Sequence, residues 1–337
     1  MLPLPIFQLH RPRSVDEALT MLERHAPSAR IVAGGTDLFP NMKQGLQTPR
    51  HLVSLAGVAE LSHVTREPDR LVLGAMASLE AVATNDEVRQ HAAALAEAAG
   101  AVGAPTHRRM GTLGGNLCLD TRCRYYNQTY FWRSALGFCI KKDGTVCHVV
   151  AGGTKCVAAA SNDTAAPAIA LGGTVAVMGP RGARHVPAAE LWTADGAANT
   201  TLAEGEIVLG LQVPIVAGRR SAYEKLRRRG AIDFPLLSVA ARADVADGRV
   251  TDLELVVSAL AARPRRVTSV RELSIGQRLD AVPIDAIAKA AQAECKPMPN
   301  VDADTTWRKQ MVLVLVRRAL ARMIHGDHYP SSGSAYR

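Results

Sequence analysis

Four cysteines carry the first chemical signal in this sequence. Cys123, Cys139, Cys147 and Cys156 are separated by 15, 7 and 8 intervening residues. Four thiolates are what a [4Fe–4S] cluster requires, one for each iron. The spacing differs from the short run of bacterial ferredoxins and lacks the Cys-x-x-Cys pairs common in zinc sites. Basic residues surround the set: Arg122, Arg124, Lys141, Lys142 and Lys155. Such cations, with backbone N–H donors, would offset the negative charge of a thiolate-ligated cluster. Two other readings stay open on residue type alone. The cysteines could be unrelated buried thiols, or they could bind zinc, with His148 beside Cys147 as a spare ligand. Cys118 lies apart from the set, close to a glycine loop, and Cys295 near a helix end reads as a structural or free thiol.

Two glycine loops carry the second signal. Ala33-Gly34-Gly35-Thr36-Asp37 follows a short apolar run that reads as a strand. Glycines there let successive backbone N–H groups approach a phosphate, and Thr36 offers a hydroxyl. The second loop is Gly111-Thr112-Leu113-Gly114-Gly115-Asn116. Asn116 can hold a left-handed backbone or offer an amide. Either loop alone is compatible with a plain turn. Together they match the need of a dinucleotide, which has two phosphates to hold. Neither fits the Rossmann or P-loop fingerprint. Asp163, in Ser161-Asn162-Asp163-Thr164, reads equally as an acceptor for cofactor hydroxyls or as a helix N-cap. Gly152-Gly153 and Arg181-Gly182 read as ordinary turns.

The elements that must position these residues alternate between helices and short strands. Ser14 to His25 reads as a helix, with Ser14 and Glu17 in a capping-box pattern. Strands are expected at 30–33, 51–55, 61–64 and 71–75, and a helix at 88–99. Residues 118–156 break the pattern and hold five of the six cysteines; they read as an insertion with little regular structure. A short helix at 165–171 and a strand at 174–178 follow. Further on, strands are expected at 222–228, 236–245 and 250–258, and helices at 284–294 and 306–324. The fold class is therefore α+β. The elements themselves place a boundary around Pro214 to Arg219.

Composition narrows the function classes. The 337 residues are 47% apolar and 21% charged, ordinary for a chain that buries a full core. Net charge is +9, but the densest basic run is only Arg227-Arg228-Arg229, and aromatics are 4%. A nucleic-acid footprint needs a longer stripe with stacking aromatics, so none is expected. No apolar run approaches the roughly 18 residues of a membrane span. The Pro-rich start lacks a signal-peptide apolar region, so a cytoplasmic protein is expected, where clustered cysteines suggest metal rather than disulfides.

Ala33-Gly34-Gly35-Thr36-Asp37-Leu38, Thr112-Leu113-Gly114-Gly115-Asn116 and Asp163-Thr164 occur in the order seen in flavin subunits of the xanthine dehydrogenase and carbon monoxide dehydrogenase family, which the chain resembles. The run Tyr223-Glu224-Lys225, with Arg229, Asp233 and Phe234, and the run Arg263-Pro264-Arg265-Arg266-Val267 resemble that family's C-terminal domain. Within the family, the four-cysteine insertion is similar to that of the β subunit of 4-hydroxybenzoyl-CoA reductases. Pro167 stands one place later than that pattern has it. The resemblance implies the finer organisation, a two-part flavin-type domain, 1–57 and 58–216, with the cysteine insertion at 119–157, followed by a smaller α+β domain at 217–330. It implies FAD, held at its pyrophosphate by residues 33–37 and 112–116. It puts Asp163 near ribityl or ribose hydroxyls and Lys225 near the isoalloxazine, with no catalytic residue on this chain. It also implies a [4Fe–4S] cluster on the insertion. The implied partners are a molybdopterin large subunit and a [2Fe–2S] small subunit, as a hexamer of two trimers, with ferredoxin as electron donor. No nucleic acid or membrane partner is implied. Substrate chemistry, reductive removal of a phenolic hydroxyl, would belong to the molybdenum subunit.

Overall fold

The computed structural model describes residues 2–326; expected domain positions 327–330 lie outside the described residues. Three sheets organise the chain. The first is parallel, with strands β1 (Gln8–His10), β2 (Ala29–Val32) and β3 (His51–Ser54) in the order β1-β3-β2. The second is antiparallel: β4 (Val64–Arg66), β5 (Arg70–Gly74), β6 (Thr174–Gly179), β7 (Gly182–Pro187) and β8 (Ile207–Pro214), in the order β4-β5-β8-β6-β7. The third is also antiparallel: β9 (Arg220–Leu226), β10 (Leu237–Ala246), β11 (Arg249–Ser258) and β12 (Arg265–Arg266), in the order β12-β11-β10-β9.

Each sheet buries what its residue pattern predicts. Ala18 and Leu22 of helix Val15–His25 pack with Ala29 and Val53 of the first sheet. The Ser14 hydroxyl accepts from the Glu17 amide, while Glu17 reaches back to the Arg13 amide rather than to Ser14 itself. Strand β10 is apolar on both faces because both are covered. Val239, Ala241 and Ala243 join the core formed with helices Ile284–Glu294 and Thr305–His325. Ala240 points the other way, into the core of the five-stranded sheet, as the alternation of a strand requires.

Two expected elements differ. The helix expected over 88–99 is two helices, Asp86–His91 and Ala93–Gly100. Asn85 caps the first, and Ala92 leaves the helical region at φ −142°, ψ 47°. The second helix places its first-turn Ala94 amide on the Ser221 hydroxyl of β9, a partner that only the fold supplies. The strand expected at 61–64 is a 3-10 turn over Ala59–Leu61 followed by β4. Here Leu61 gives its carbonyl to the Met76 amide instead of to a sheet.

The insertion is mostly turns. Its one regular piece is helix Tyr130–Ala135, capped by the Thr129 hydroxyl on the Trp132 amide. Among the described residues, no helix is long and apolar enough to cross a membrane.

Candidate flavin and cysteine sites

The first glycine loop leaves β2 and enters helix Leu38–Lys43. Gly35 sits at φ +71°, a left-handed conformation that glycine adopts without strain. The amides of Gly34, Gly35, Thr36 and Asp37 donate to no acceptor among the described residues. Successive free N–H groups at a helix entrance form an anion-binding nest. The loop is also pressed against its counterpart, since a Cβ on Gly34 would stand 1.8 Å from the Met110 carbonyl oxygen and 3.1 Å from Gly111 Cα.

The second loop is built differently. Residues Leu113–Leu117 form a short helix capped by Thr112, whose hydroxyl accepts from the Gly115 amide at 3.1 Å. Leu113 and Gly114 donate to the Ala77 and Ala75 carbonyls, and Asn116 donates to Thr112. The expectation of two equivalent nests therefore gives way to one nest and one brace. The reason is local: a threonine three residues before a glycine caps a helical turn and takes the amide for itself. Gly115 remains exposed, and a Cβ there would face Ala33 at 4.0 Å. The two loops thus approach each other at Ala33 and Gly115, with the free amides of 34–37 beside them.

Asn116 works through its side chain. Its Oδ1 accepts from both the amide and the hydroxyl of Thr164, at 3.0 and 2.6 Å. That fixes the neighbouring Asp163, which does not cap the following helix; the N-cap of Ala165–Ala170 is Thr164. Asp163 is instead buried, accepting from Tyr223 Oη at 2.6 Å and Lys225 Nζ at 2.8 Å. Burial pushes the Asp163 carboxyl above its ordinary value, and the Lys225 ammonium opposes that. Lys225 also donates to the Ala101 carbonyl, which leaves one of its three donors. The neighbouring Asn162 is 1% exposed, and its Oδ1 has no partner. A buried polar atom left open beside the second loop is the kind of feature a polar ligand satisfies.

The four cysteines line one cavity. Cys123, Cys139, Cys147 and Cys156 surround it together with Tyr126, Ile140, Lys141 and His148. Cys139 sits in a tight turn where its carbonyl accepts from the Lys142 and Gly144 amides. The Ala158 amide points at Cys156 Sγ, 3.4 Å away, a donor of the type that steadies a metal-bound thiolate. Burial raises the Cys123 thiol and pushes Cys156 up to about 11, so both are protonated near neutrality unless a metal displaces the proton.

Their spread bears on which metal fits. A single zinc, with bonds of about 2.3 Å in a tetrahedron, draws its sulfurs to within about 3.8 Å of one another. Among the described residues, the only three His, Cys, Asp or Glu side chains with ligand atoms all within 4.8 Å are His10, His25 and His51. No three of the four sulfurs therefore lie within 4.8 Å of one another, wider than a zinc tetrahedron draws them. His148 is turned to the Phe138 carbonyl. Cys118 is exposed and outside the cavity, and Cys295 is fully buried in the core of the third sheet.

Of the basic residues expected around the cysteines, Lys141 is the one in the cavity wall. Its charge acts on Cys156, while its Nζ is held by Asp120 and the Gly196 carbonyl. Lys142 pairs with Asp143, and Arg124 reaches the Tyr125 hydroxyl. Arg122 turns toward the first glycine loop and ion-pairs with Asp37, its guanidinium 4.2 Å above the Phe234 ring. Burial pulls Arg122 down to about 10, which keeps it charged at neutral pH. The residue before Cys123, the first of the four cavity cysteines, thus touches the first glycine loop. Sequence reasoning missed that contact, and it read Tyr223 only as part of the run Tyr223-Glu224-Lys225, not as a site residue, although it lies two residues from Lys225 on the same strand face.

The chain is similar to known proteins over nearly its whole length. A family described as "FAD binding domain in molybdopterin dehydrogenase" matches residues 5–216, and one described as "CO dehydrogenase flavoprotein C-terminal domain" matches residues 221–323. The carbon monoxide dehydrogenase medium chain of Afipia carboxidovorans is 27% identical over 94% of this chain and 96% of its own length. The aldehyde oxidoreductase FAD-binding subunit of Escherichia coli is 30% identical over 70% of this chain and 76% of its own. Among solved structures, carbon monoxide dehydrogenase from Hydrogenophaga pseudoflava superposes with a TM-score of 0.78 at 27% identity, covering 95% of this chain and 98% of the other. A nest of free amides facing a braced glycine turn suits the diphosphate of FAD, and the chain belongs to the family of FAD-binding medium subunits of molybdenum hydroxylases.

Proposed function

We propose that this chain is the electron-transfer subunit of a reductase of the 4-hydroxybenzoyl-CoA type, carrying a [4Fe–4S] cluster on its own insertion beside FAD. The observation that carries the reading is the convergence of Cys123, Cys139, Cys147 and Cys156 on one cavity. The Asp37–Arg122 contact supports a short route between the two cofactors, because Arg122 precedes the first ligand cysteine.

In this reading the chain's residues bind and position. The amides of 34–37 hold the pyrophosphate, Thr112 and Asn116 fix the opposing turn, and Lys225 offers its remaining donor toward the isoalloxazine. Asp163 holds Tyr223 and Lys225 through one hydrogen bond to each of its oxygens, and its remaining lone pairs are acceptors for ribityl or ribose hydroxyls. The two cofactors supply one- and two-electron redox chemistry. The partners are a molybdopterin large subunit and a [2Fe–2S] small subunit, and reduced ferredoxin is the donor. Exposed Tyr130 and Phe131 lie on the insertion where such a donor would dock. Removing the phenolic hydroxyl consumes two electrons and two protons and releases water, all at the molybdenum subunit.

A second reading keeps the family but changes the substrate, since the relatives include carbon monoxide and aldehyde enzymes. Zinc as a staple for the insertion is disfavoured by the spread of the sulfurs. The complex, purified anaerobically, should reduce 4-hydroxybenzoyl-CoA with reduced ferredoxin and leave purines, aldehydes and carbon monoxide unoxidised. Turnover of one of those three without the thioester would overturn the substrate assignment.

A further inference from the structure

A second cluster of metal-ligating side chains lies on the first sheet, away from the cysteines. His10 ends β1, His51 opens β3, and His25 is the last residue of helix Val15–His25. The fold brings these three imidazoles together from distant sequence positions. Their ligand nitrogens all lie within 4.8 Å of one another, and each ring is half-buried. His10 Nε2 and His51 Nδ1 are 3.1 Å apart. The ring centroids are 4.0 Å apart for His25 and His51 and 4.5 Å for His10 and His25.

We propose that His10, His25 and His51 form a binding site for one zinc-type divalent cation, with its fourth position open to solvent. Two nitrogens bound to zinc at about 2.0–2.1 Å stand about 2.8–3.4 Å apart for angles between 90° and tetrahedral. The observed pair already stands that far apart, joined by a hydrogen bond that a cation would replace, and His25, stacked on both rings, would turn its in-plane lone pair toward the shared point. Imidazole donors suit zinc, copper and nickel, and three protein ligands plus a water is a common open zinc arrangement.

The site would act as a clamp. It joins the end of β1, the start of β3 and the helix that precedes β2, and β2 runs straight into the loop at 33–37. A cation here would tighten the sheet from which that loop emerges.

The test uses the complex with flavin and cluster loaded, kept anaerobic. Zinc is added, excess is removed by dialysis, and bound zinc is measured for the unmodified complex and for His25→Ala and His51→Gln. One equivalent of zinc should be lost in each variant. X-ray absorption of the unmodified zinc-loaded complex should show nitrogen or oxygen scatterers near 2.0–2.1 Å. Zinc should also raise the melting temperature of the unmodified complex alone. Flavin content reports whether each variant folds, and the absorption measurement needs no variant. Equal zinc in all three proteins, or sulfur scatterers near 2.3 Å, would overturn the proposal.

Discussion

Asp163 and Lys225 meet at 2.8 Å in the interior, with only 4% of each side chain exposed. They come from different units, Asp163 from the segment that Asn116 anchors and Lys225 from β9 of the third sheet. Tyr223, two residues before Lys225 on the same strand, takes the other Asp163 oxygen. The third sheet is thereby locked to the segment behind the second glycine loop.

Lys225→Met should leave a buried carboxylate without its counter-charge. Removing one partner of such a pair costs about 3–5 kcal/mol. Urea denaturation of the flavin-loaded subunit should show a loss of that size, with much of it recovered by adding Asp163→Asn. A single variant within about 1 kcal/mol of the unmodified protein would show that the pair does not lock the units.

Gly34→Ala tests the contact between the loops. The added Cβ would meet the Met110 carbonyl oxygen at 1.8 Å, so one loop has to move. Flavin content per chain should fall at least about tenfold, since a shift of only 1.4 kcal/mol in binding already gives that factor. Full flavin occupancy would place the cofactor elsewhere.

How far the sequence revealed this structure depended on how local each feature is. Helix Ile284–Glu294 emerged with the bounds its apolar spacing predicts, because period and capping act within a few residues. Strands β9, β10 and β11 matched to within two residues at each end, because alternation is also local. The break at Ala92 was not legible, because the Ser221 hydroxyl that receives the Ala94 amide is 127 positions away. Strands β7 and β8 went unread for a similar reason. Strand β7 carries few apolar residues, the apolar run of β8 is broken by Gly210 and ends at Pro214, and their partners are supplied by β5 and β6. At the site, the four cysteines and two glycine loops were visible as residue types. Which amides stay free, and the pairing of Asp37 with Arg122, depend on tertiary contacts.

Acid should weaken the β6–β8 region through Glu206. Its carboxylate accepts from Arg184 Nε at 2.7 Å, Arg184 Nη2 at 2.8 Å and the Ala203 amide at 2.7 Å. The Arg184 hydrogen bonds hold its carboxyl below the ordinary value of 4.5. A depressed folded value means the stabilisation is complete above the unfolded value and is lost as pH falls through the folded one. Compared with Glu206→Gln, the unmodified protein should be more stable at about pH 6, and the difference should shrink by about pH 3.5. A difference that stays constant across that range would remove Glu206 from the acid response.

Cys139→Ala should lose or degrade the iron–sulfur cluster while FAD stays bound, because the insertion cavity and the glycine loops use separate residues. Iron analysis and the flavin band near 450 nm report the two cofactors independently. Unchanged iron in this variant would remove Cys139 from the ligand set.

The most direct measurement is the metal, sulfide and flavin content of this chain expressed alone and purified without oxygen. About four irons, about four sulfides and one FAD per chain are predicted. A preparation holding FAD but one zinc and no iron, with its four sulfurs drawn around that zinc, would contradict the account.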